Sequence, residues 1–558
     1  VSENRKGGLF GRVIKSTALV SGIILLCKLL GFLEKVLLGS IYGGAEQKYQ
    51  MDIYLAIVTI AVLFYDIVRY SLIPALLPAV AEEREKHGEV AAWELASTFL
   101  NVILPVLAIA VIVVICFPRS VLGLLFPKLP GGFADAETKM RLATSLLRIM
   151  FAGGIFLIAG GIAYALLNSY KRFVAPALGD FTFKAVGMIP LLVIALFLNR
   201  LHPGFVISSG IKMVSAGIML GCVGLLTVQL LALRKKLRFY RLAVKLKRPV
   251  SQRVLVSAAP LLLYAVFYFG RRIMDIFFAF QTTEGAYSGL DFSYRLIEFP
   301  FRLVVEPLGY VVFPFLSALA IERAASPPRP GGDDELVDVL MVSLRGLTLI
   351  LLPLSVGLFL LRRPAVVALF KYGRFANVEL TVAPLTWYSL GIVAFGLDII
   401  LMRAYFAVRD VATPVALEIL AFFTNLVLIL ALKTTMGSAG IALAFTLART
   451  AKVVFLFAFL KHRLGTLRWR ENLFFLLKVA PAAVGMGVAV YLTREFLGSQ
   501  LDFASKAARF AVLLVSAAIG AITYAACIVL FRVKEVQSLL AMRRQKGEVV
   551  QRAERPLP

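Results

Sequence analysis

Histidine is almost absent from this chain: three residues among 558, His87, His202 and His462, all in loops or at the ends of apolar runs. Cysteine is nearly as scarce, with Cys27, Cys116, Cys222 and Cys527 each isolated in an apolar stretch. This spacing excludes a zinc site built on paired Cys or His and a disulfide framework, so the four read as reduced packing thiols. No glycine-rich loop leading into Lys-Ser or Lys-Thr occurs, which argues against ATP hydrolysis by a phosphate loop. Acid is short as well, with 33 Asp and Glu against 60 Lys and Arg, a net charge of +27. In a soluble chain that excess would point to nucleic acid, but here the cations gather in short segments between long apolar runs. Nucleic acid is therefore not an expected partner, and neither a metal nor a cofactor is expected.

What the chain has in abundance is apolar surface. Hydrophobic residues make up 60% and mean hydropathy is +0.85, well above a soluble domain. With about 20 apolar residues per crossing, the sequence predicts fourteen membrane helices, at 17–41, 52–80, 92–117, 141–168, 174–199, 205–233, 252–280, 287–320, 337–361, 383–408, 412–434, 438–461, 473–493 and 507–531. The fold class expected is an all-α polytopic membrane protein. Arg5, Lys6, Arg12 and Lys15 precede the first run, which continues as a span with no small-residue cleavage site, so no cleavable signal peptide is expected.

Orientation follows from the loop cations. Placing both termini in the cytoplasm puts inside the nine basic residues from Arg234 to Arg253, Lys171 with Arg172, the cluster Lys461, Arg463, Arg468 and Arg470, and the tail with Arg543, Arg544 and Lys546. The loop with Arg362, Arg363, Lys371 and Arg374 falls outside and breaks the pattern.

The chain also echoes itself. Lys171-Arg172-Phe173-Val174-Ala175-Pro176 returns as Arg409-Asp410-Val411-Ala412-Thr413-Pro414; Pro74, Leu76 and Glu82 return as Pro314, Leu316 and Glu322; Val121 to Phe126 resembles Val366 to Phe370. Offsets near ~240 residues that join loops of like orientation imply two six-helix lobes related by an axis along the membrane normal. The expected organisation is a cytoplasmic N-terminus (1–16), an N-lobe (17–233), a basic linker (234–251), a C-lobe (252–461), two appended helices (473–531) and a cytoplasmic tail (532–558). Two such lobes place a cargo site between them.

Charge inside the apolar runs marks the candidate site. Asp291, Arg295, Glu298, Arg302 and Glu306 recur within one span, and at about 100° per residue they share a stripe about 80° wide. Each charge costs roughly 2.5–3.5 kcal/mol at mid-membrane on insertion scales, so the stripe is expected to line protein or water rather than lipid. Pro300 and Pro307 beside it predict a kink. Lys28, Glu34 and Lys35, then Asp52, Asp66 and Arg69, then Arg271, Arg272 and Asp275 place further charges on the first two helices of each lobe. Later spans carry Asp180 with Lys184, Asp398 with Arg403, Glu418, and Arg449 with Lys452. For these the structural reading, mutual neutralisation within the bundle, is preferred. For the first group a polar cargo is preferred, because paired charges are poor stabilisers of a dry interior. Arg and Lys suit an anion, and Arg grips phosphate oxygens with a two-pronged fork.

Several strings are specific enough to name a family. Leu30-Gly31-Phe32, Leu167-Asn168-Ser169-Tyr170-Lys171-Arg172-Phe173 with Pro176, Tyr294-Arg295-Leu296-Ile297-Glu298-Phe299-Pro300, Leu369-Phe370-Lys371-Tyr372-Gly373-Arg374-Phe375 and Arg409-Asp410-Val411-Ala412-Thr413-Pro414 resemble the MurJ/MviN lipid II flippases, of the multidrug/oligosaccharidyl-lipid/polysaccharide exporter superfamily. The resemblance runs from about Ser16 to the end. It implies a cargo, the undecaprenyl-diphosphate-linked peptidoglycan precursor, moved from inner to outer leaflet of a bacterial cytoplasmic membrane with no chemical reaction. It further implies a central cavity with basic residues for the diphosphate, and a groove for the lipid tail at the last two helices. Arg295, Arg271, Arg272, Lys28 and Arg69 are the expected headgroup ligands; Glu298, Asp52 and Glu34 are expected to tune the cavity or hold a coupling cation. A coupling cation or the membrane potential is the expected driver, and membrane lipids and the cell-wall synthesis machinery the expected partners.

The match is not complete. Lys28 stands where the family has Arg, Glu34-Lys35 reverses an Arg-Asp order, Tyr65-Asp66 meets an Arg pair, and Tyr294 replaces an acid. Three other readings therefore stay open: a flippase for another polyprenyl-linked glycan, a cation-coupled drug exporter, and a non-transporting cell-wall scaffold.

Overall fold

The computed structural model describes residues 2–44, 48–126, 133–325, 334–371, 373, 375–465, 467–500 and 505–537. Tyr372, Arg374 and the basic tail beyond residue 537, all used in reading the sequence, lie outside them. Among the described residues there is no strand. The main helices are α1 Ser2–Tyr42, α2 Lys48–Cys116, α3 Pro118–Leu125, α4 Phe133–Ser169, α5 Val174–Val193, α6 Ile211–Leu233, α7 Pro249–Ala279, α8 Ala286–Ala325, α9 Glu335–Leu360, α10 Arg362–Phe370, α11 Val378–Ala407, α12 Ala412–Met436, α13 Ser438–Leu464, α14 Trp469–Gln500 and α15 Lys506–Leu530. Among the described residues twelve helices are long and apolar enough to cross a membrane. Helices dominate because in lipid every backbone polar group must find its partner within the segment.

The count differs from fourteen partly because α2 holds two of the expected spans. Its two halves meet at a kink at Gly88, whose φ of 83° and ψ of −178° are open essentially to glycine alone. Helix α8 differs in the other direction. It runs unbroken for 40 residues through Pro300, Pro307 and Pro314, whose seven-residue spacing gathers the missing backbone donors on one face.

The chain forms two compact units, Val1–Phe292 with Phe370–Leu380 and Lys433–Ser438, and Ser293–Leu369 with Thr381–Leu432 and Ala439–Pro558. In the first, α2, α4, α6 and α7 share a core that includes Leu76, Trp93, Phe99, Leu167, Leu233 and Val254. Helix α7 belongs to the second lobe by the repeat, yet it packs with α2 in the first unit, where Leu63 meets Ala265 and Phe269. Helices α5 and α6 approach closely through glycine: a Cβ at Gly221 would stand 2.5 Å from the Phe183 carbonyl oxygen, the small-residue packing typical of membrane helices. In the second unit Val479, Ala482, Val490, Tyr524 and Ile528 join α14 to α15.

The sequence echo has a backbone counterpart. Lys171 and Arg409 both adopt φ 59°. Around the first, Lys171 N donates to Asn168 O and Arg172 N to Leu167 O; around the second, Arg409 N donates to Phe406 O and Asp410 N to Tyr405 O. Each is the same left-handed helix cap, closed by a cation that complements the carbonyl end of the helix dipole.

The basic linker is also partly accounted for. Lys236 pairs with Glu89, Lys245 and Arg248 with Glu94, and Arg253 with Glu82, all acids flanking the α2 kink. Beside them the Tyr170 hydroxyl donates to Glu89 and accepts from Trp93 Nε1. Burial and the Glu89 carboxylate hold that phenol above its ordinary range.

Candidate functional site

The first unit contains a continuous set of charged and aromatic groups on α1, α2, α4, α5, α7 and the start of α8. Most of its cations are matched. Lys35 Nζ lies 3.2 Å from Asp291, with both side chains nearly buried. Lys184 of α5 pairs with Glu34 of α1 at 2.9 Å. Arg271 holds Asp275, one turn along α7, at 2.6 Å. Glu34 and Arg271, both expected in the cargo site, thus already have partners within the unit.

Asp52 is engaged differently. It is buried, and its two carboxylate oxygens accept from the backbone amides of Gly285 and Ser288, each at 2.7 Å. These are amides at the start of α8, which a helix would otherwise leave unpaired. Asp52 therefore caps α8 from α2, a structural task that its place among the expected cavity acids did not foresee.

Two cations stand apart. Arg69 makes no ion pair among the described residues. Its guanidinium lies over the rings of Tyr65 at 5.7 Å and Tyr164 at 5.0 Å, with a long 3.4 Å hydrogen bond to the Tyr65 hydroxyl. Arg272 lies 5.9 Å over Phe269, with neither a hydrogen bond nor an ion pair among the described residues. Aromatic faces steady a guanidinium through its flat side and leave the N–H edge free for a planar, two-oxygen acceptor. Asp180 of α5 is within electrostatic reach of Arg69 and of Lys28, so Lys28 belongs to the same neighbourhood. The sequence reading named Arg69, Arg272 and Lys28. It missed Tyr65 and Tyr164 as the aromatic frame, and Lys184 as the partner of Glu34. Tyr65 stood in view only as a departure from the family pattern.

The second unit holds the remaining expected residues. Arg295 Nη1 donates to Glu298 at 2.8 Å, one turn apart on α8 with Glu298 buried, so these two expected site residues meet each other within their own helix. Farther along the chain, Asp398, Glu418, Arg449 and Lys452 form a closed quartet. Arg449 reaches Asp398 at 2.7 Å and Glu418 at 3.0 Å, and Lys452 reaches Asp398 at 2.9 Å and Glu418 at 2.5 Å. All four are buried, with two charges of each sign.

Among the described residues no His, Cys, Asp and Glu cluster has metal-ligand geometry. The chemistry on offer is recognition of an anion by guanidinium groups inside a membrane helix bundle.

Known proteins share this architecture. Among solved structures, one titled lipid II flippase MurJ in an inward closed conformation superposes with a TM-score of 0.72 at 19% identity, covering 92% of this chain and 99% of the other. An inward-facing multidrug resistance transporter of the MATE family superposes at 0.59 and 14% identity, covering 78% and 99%. Sequence relatives include a probable lipid II flippase MurJ of Bdellovibrio bacteriovorus, 24% identical over 88% of this chain and 89% of its own length. The lipid II flippase MurJ of Burkholderia cenocepacia is 24% identical over 80% and 83%. A family model, Lipid II flippase MurJ, matches residues 48–511. The chain is a multi-pass membrane protein and belongs to the lipid II flippase MurJ family.

Proposed function

We propose that this protein carries an undecaprenyl-diphosphate-linked peptidoglycan precursor, lipid II, from the inner to the outer leaflet of the bacterial cytoplasmic membrane by alternating exposure to its two sides. No bond is made or broken; the protein lowers the barrier to bringing a polar headgroup through hydrocarbon. Both termini lie in the cytoplasm, as the loop cations favour, and the cargo is released to the cell-wall synthesis machinery outside.

The observation that carries the reading is the pair Arg69 and Arg272: guanidinium groups inside membrane helices, steadied by aromatic faces and held in no ion pair among the described residues. A diphosphate supplies the missing acceptors. Lys28 adds charge beside Arg69, and Arg271 joins by exchanging its carboxylate partner for phosphate; in the second unit Arg295 makes the same exchange. Between cargoes Asp275 holds Arg271 and Glu298 holds Arg295, while Glu34 stays with Lys184. The membrane potential, worth about 2.3 kcal/mol per charge per 100 mV, or a cation gradient resets the cycle.

The test is exposure of labelled lipid II on the outer face of spheroplasts from a flippase-depleted strain expressing this chain. Arg272→Ala and Arg295→Ala are each expected to abolish exposure and complementation at normal protein levels. Unchanged exposure in Arg272→Ala removes that residue from the cargo site, and growth of the Arg295→Ala strain at the wild-type rate does the same for Arg295.

A further inference from the structure

The second unit has its own unmatched guanidinium, on a helix that the cargo site does not use. Arg403 lies four residues before the end of α11, about 6 Å along the axis from that end. Beyond it, Arg463 pairs with Asp410 at 3.1 Å. This is the Lys- and Arg-rich end of the bundle, cytoplasmic in the orientation proposed above.

The guanidinium carbon of Arg403 stands 4.7 Å over the ring of Tyr310 and 5.9 Å over that of Phe313, both on α8. Its Nε is buried with no hydrogen-bond partner, and Arg403 makes no ion pair among the described residues; Glu306, one turn before Tyr310, does not reach it. The close seat on α8 exists because residue 309 lacks a side chain, since a Cβ there would stand 2.6 Å from Nε. Tyr310 is 69% exposed, so the place is open from the side as well as framed from behind.

A side chain that merely reached toward water would not bury Nε against a backbone. Stacking occupies only the faces of the guanidinium and Gly309 covers Nε, so the Nη edge is left to meet an acceptor. The group that meets that edge best is a planar pair of phosphate oxygens. A lipid phosphate sits near this depth, and a polyprenyl diphosphate presents two phosphates together.

We propose that Arg403, framed by Tyr310, Phe313 and Gly309, is a phosphate-binding site that receives the diphosphate of the lipid-linked cargo at the cytoplasmic leaflet before it is translocated. This rests on the flippase reading. Tyr310 and Phe313 orient the fork, and Gly309 admits it to the helix surface.

Native mass spectrometry of the purified full chain in detergent tests this, with undecaprenyl diphosphate, undecaprenyl monophosphate and phosphatidylglycerol as separate probes. Arg403→Gln is expected to weaken diphosphate capture about tenfold or more, the worth of charge-assisted hydrogen bonds, while phosphatidylglycerol capture changes little. Tyr310→Leu, at an exposed position that a fold defect would not reach, is expected to weaken it severalfold. Diphosphate capture at the wild-type level in both variants overturns the site. A loss confined to phosphatidylglycerol also overturns it, showing a seat for bulk lipid instead. If the wild-type chain captures neither polyprenyl probe, the flippase reading fails first and this site with it. If Arg272→Ala loses capture while Arg403→Gln keeps it, the flippase reading stands and this site alone is lost.

Discussion

The aromatic-framed arginines of the first unit and the buried quartet of the second use the same residue types to opposite ends. In the quartet each cation meets both acids at 2.5–3.0 Å, so the charges answer one another inside the bundle. Around Arg69 and Arg272 the contacts are with rings and one tyrosine hydroxyl, which leave most of the N–H donors unspent. A closed network inside a membrane bundle sets register and holds helices. An open one is unstable on its own account and is stabilised by an anion from elsewhere. The difference lies in what completes the hydrogen-bonding shell, which the number of charges does not reveal.

The largest effect should come from opening the closed network. Arg449→Ala leaves Asp398 and Glu418 buried with one cation between them, and breaking such a network costs about 3–5 kcal/mol. Thermal unfolding in detergent should show the chain lost or severely destabilised; a melting point like that of the wild type would mean that water already reaches the quartet. The open site should behave differently. Arg69→Ala removes two ring contacts and leaves Asp180 with Lys28 as its neighbouring cation, so stability should fall by about 2 kcal/mol, less than for the quartet, while lipid II exposure disappears. Tyr164→Leu should act in the same direction but more weakly, since it loosens the guanidinium and leaves its charge. Loss of folding in Arg69→Ala with transport retained per folded molecule would erase the distinction between the two regions.

Much of this was legible in the sequence because membrane helices announce themselves by length and hydropathy, and because charge within them is costly wherever it occurs. The echo of Lys171 in Arg409 was legible for a sharper reason: the same turn needs the same residues, and both positions adopt the same left-handed cap. Which charges were spent on each other was not legible. Asp398 and Glu418 lie on different helices from Arg449 and Lys452, and periodicity along one helix says nothing of the partner across the bundle. Arg271 and Arg272 are adjacent in the chain, yet about 100° of helical rotation gives one a carboxylate and the other a ring. Asp52 looked like a cavity acid because sequence records its charge but not the unpaired amides that face it.

Asp52 offers the smallest and most discriminating of these effects. Its two oxygens accept from Gly285 N and Ser288 N, while Ser288 Oγ in turn accepts from Asn377 Nδ2 at 3.2 Å. Asn is itself a good helix cap but has one oxygen where Asp has two, so Asp52→Asn keeps one of the two bonds. Removing a cap altogether costs ~0.5–2 kcal/mol, and Asp52→Asn should fall at the low end of that range with transport retained at neutral pH. Asp52→Ala should fall at the high end and fray the start of α8, read as faster amide exchange at Gly285 and Ser288. A cation-coupling acid would give no such ranking, because Asn removes the charge as completely as Ala does. Equal loss of transport in the two variants, with unchanged exchange at α8, would return Asp52 to the cargo cycle and leave α8 without a cap from α2.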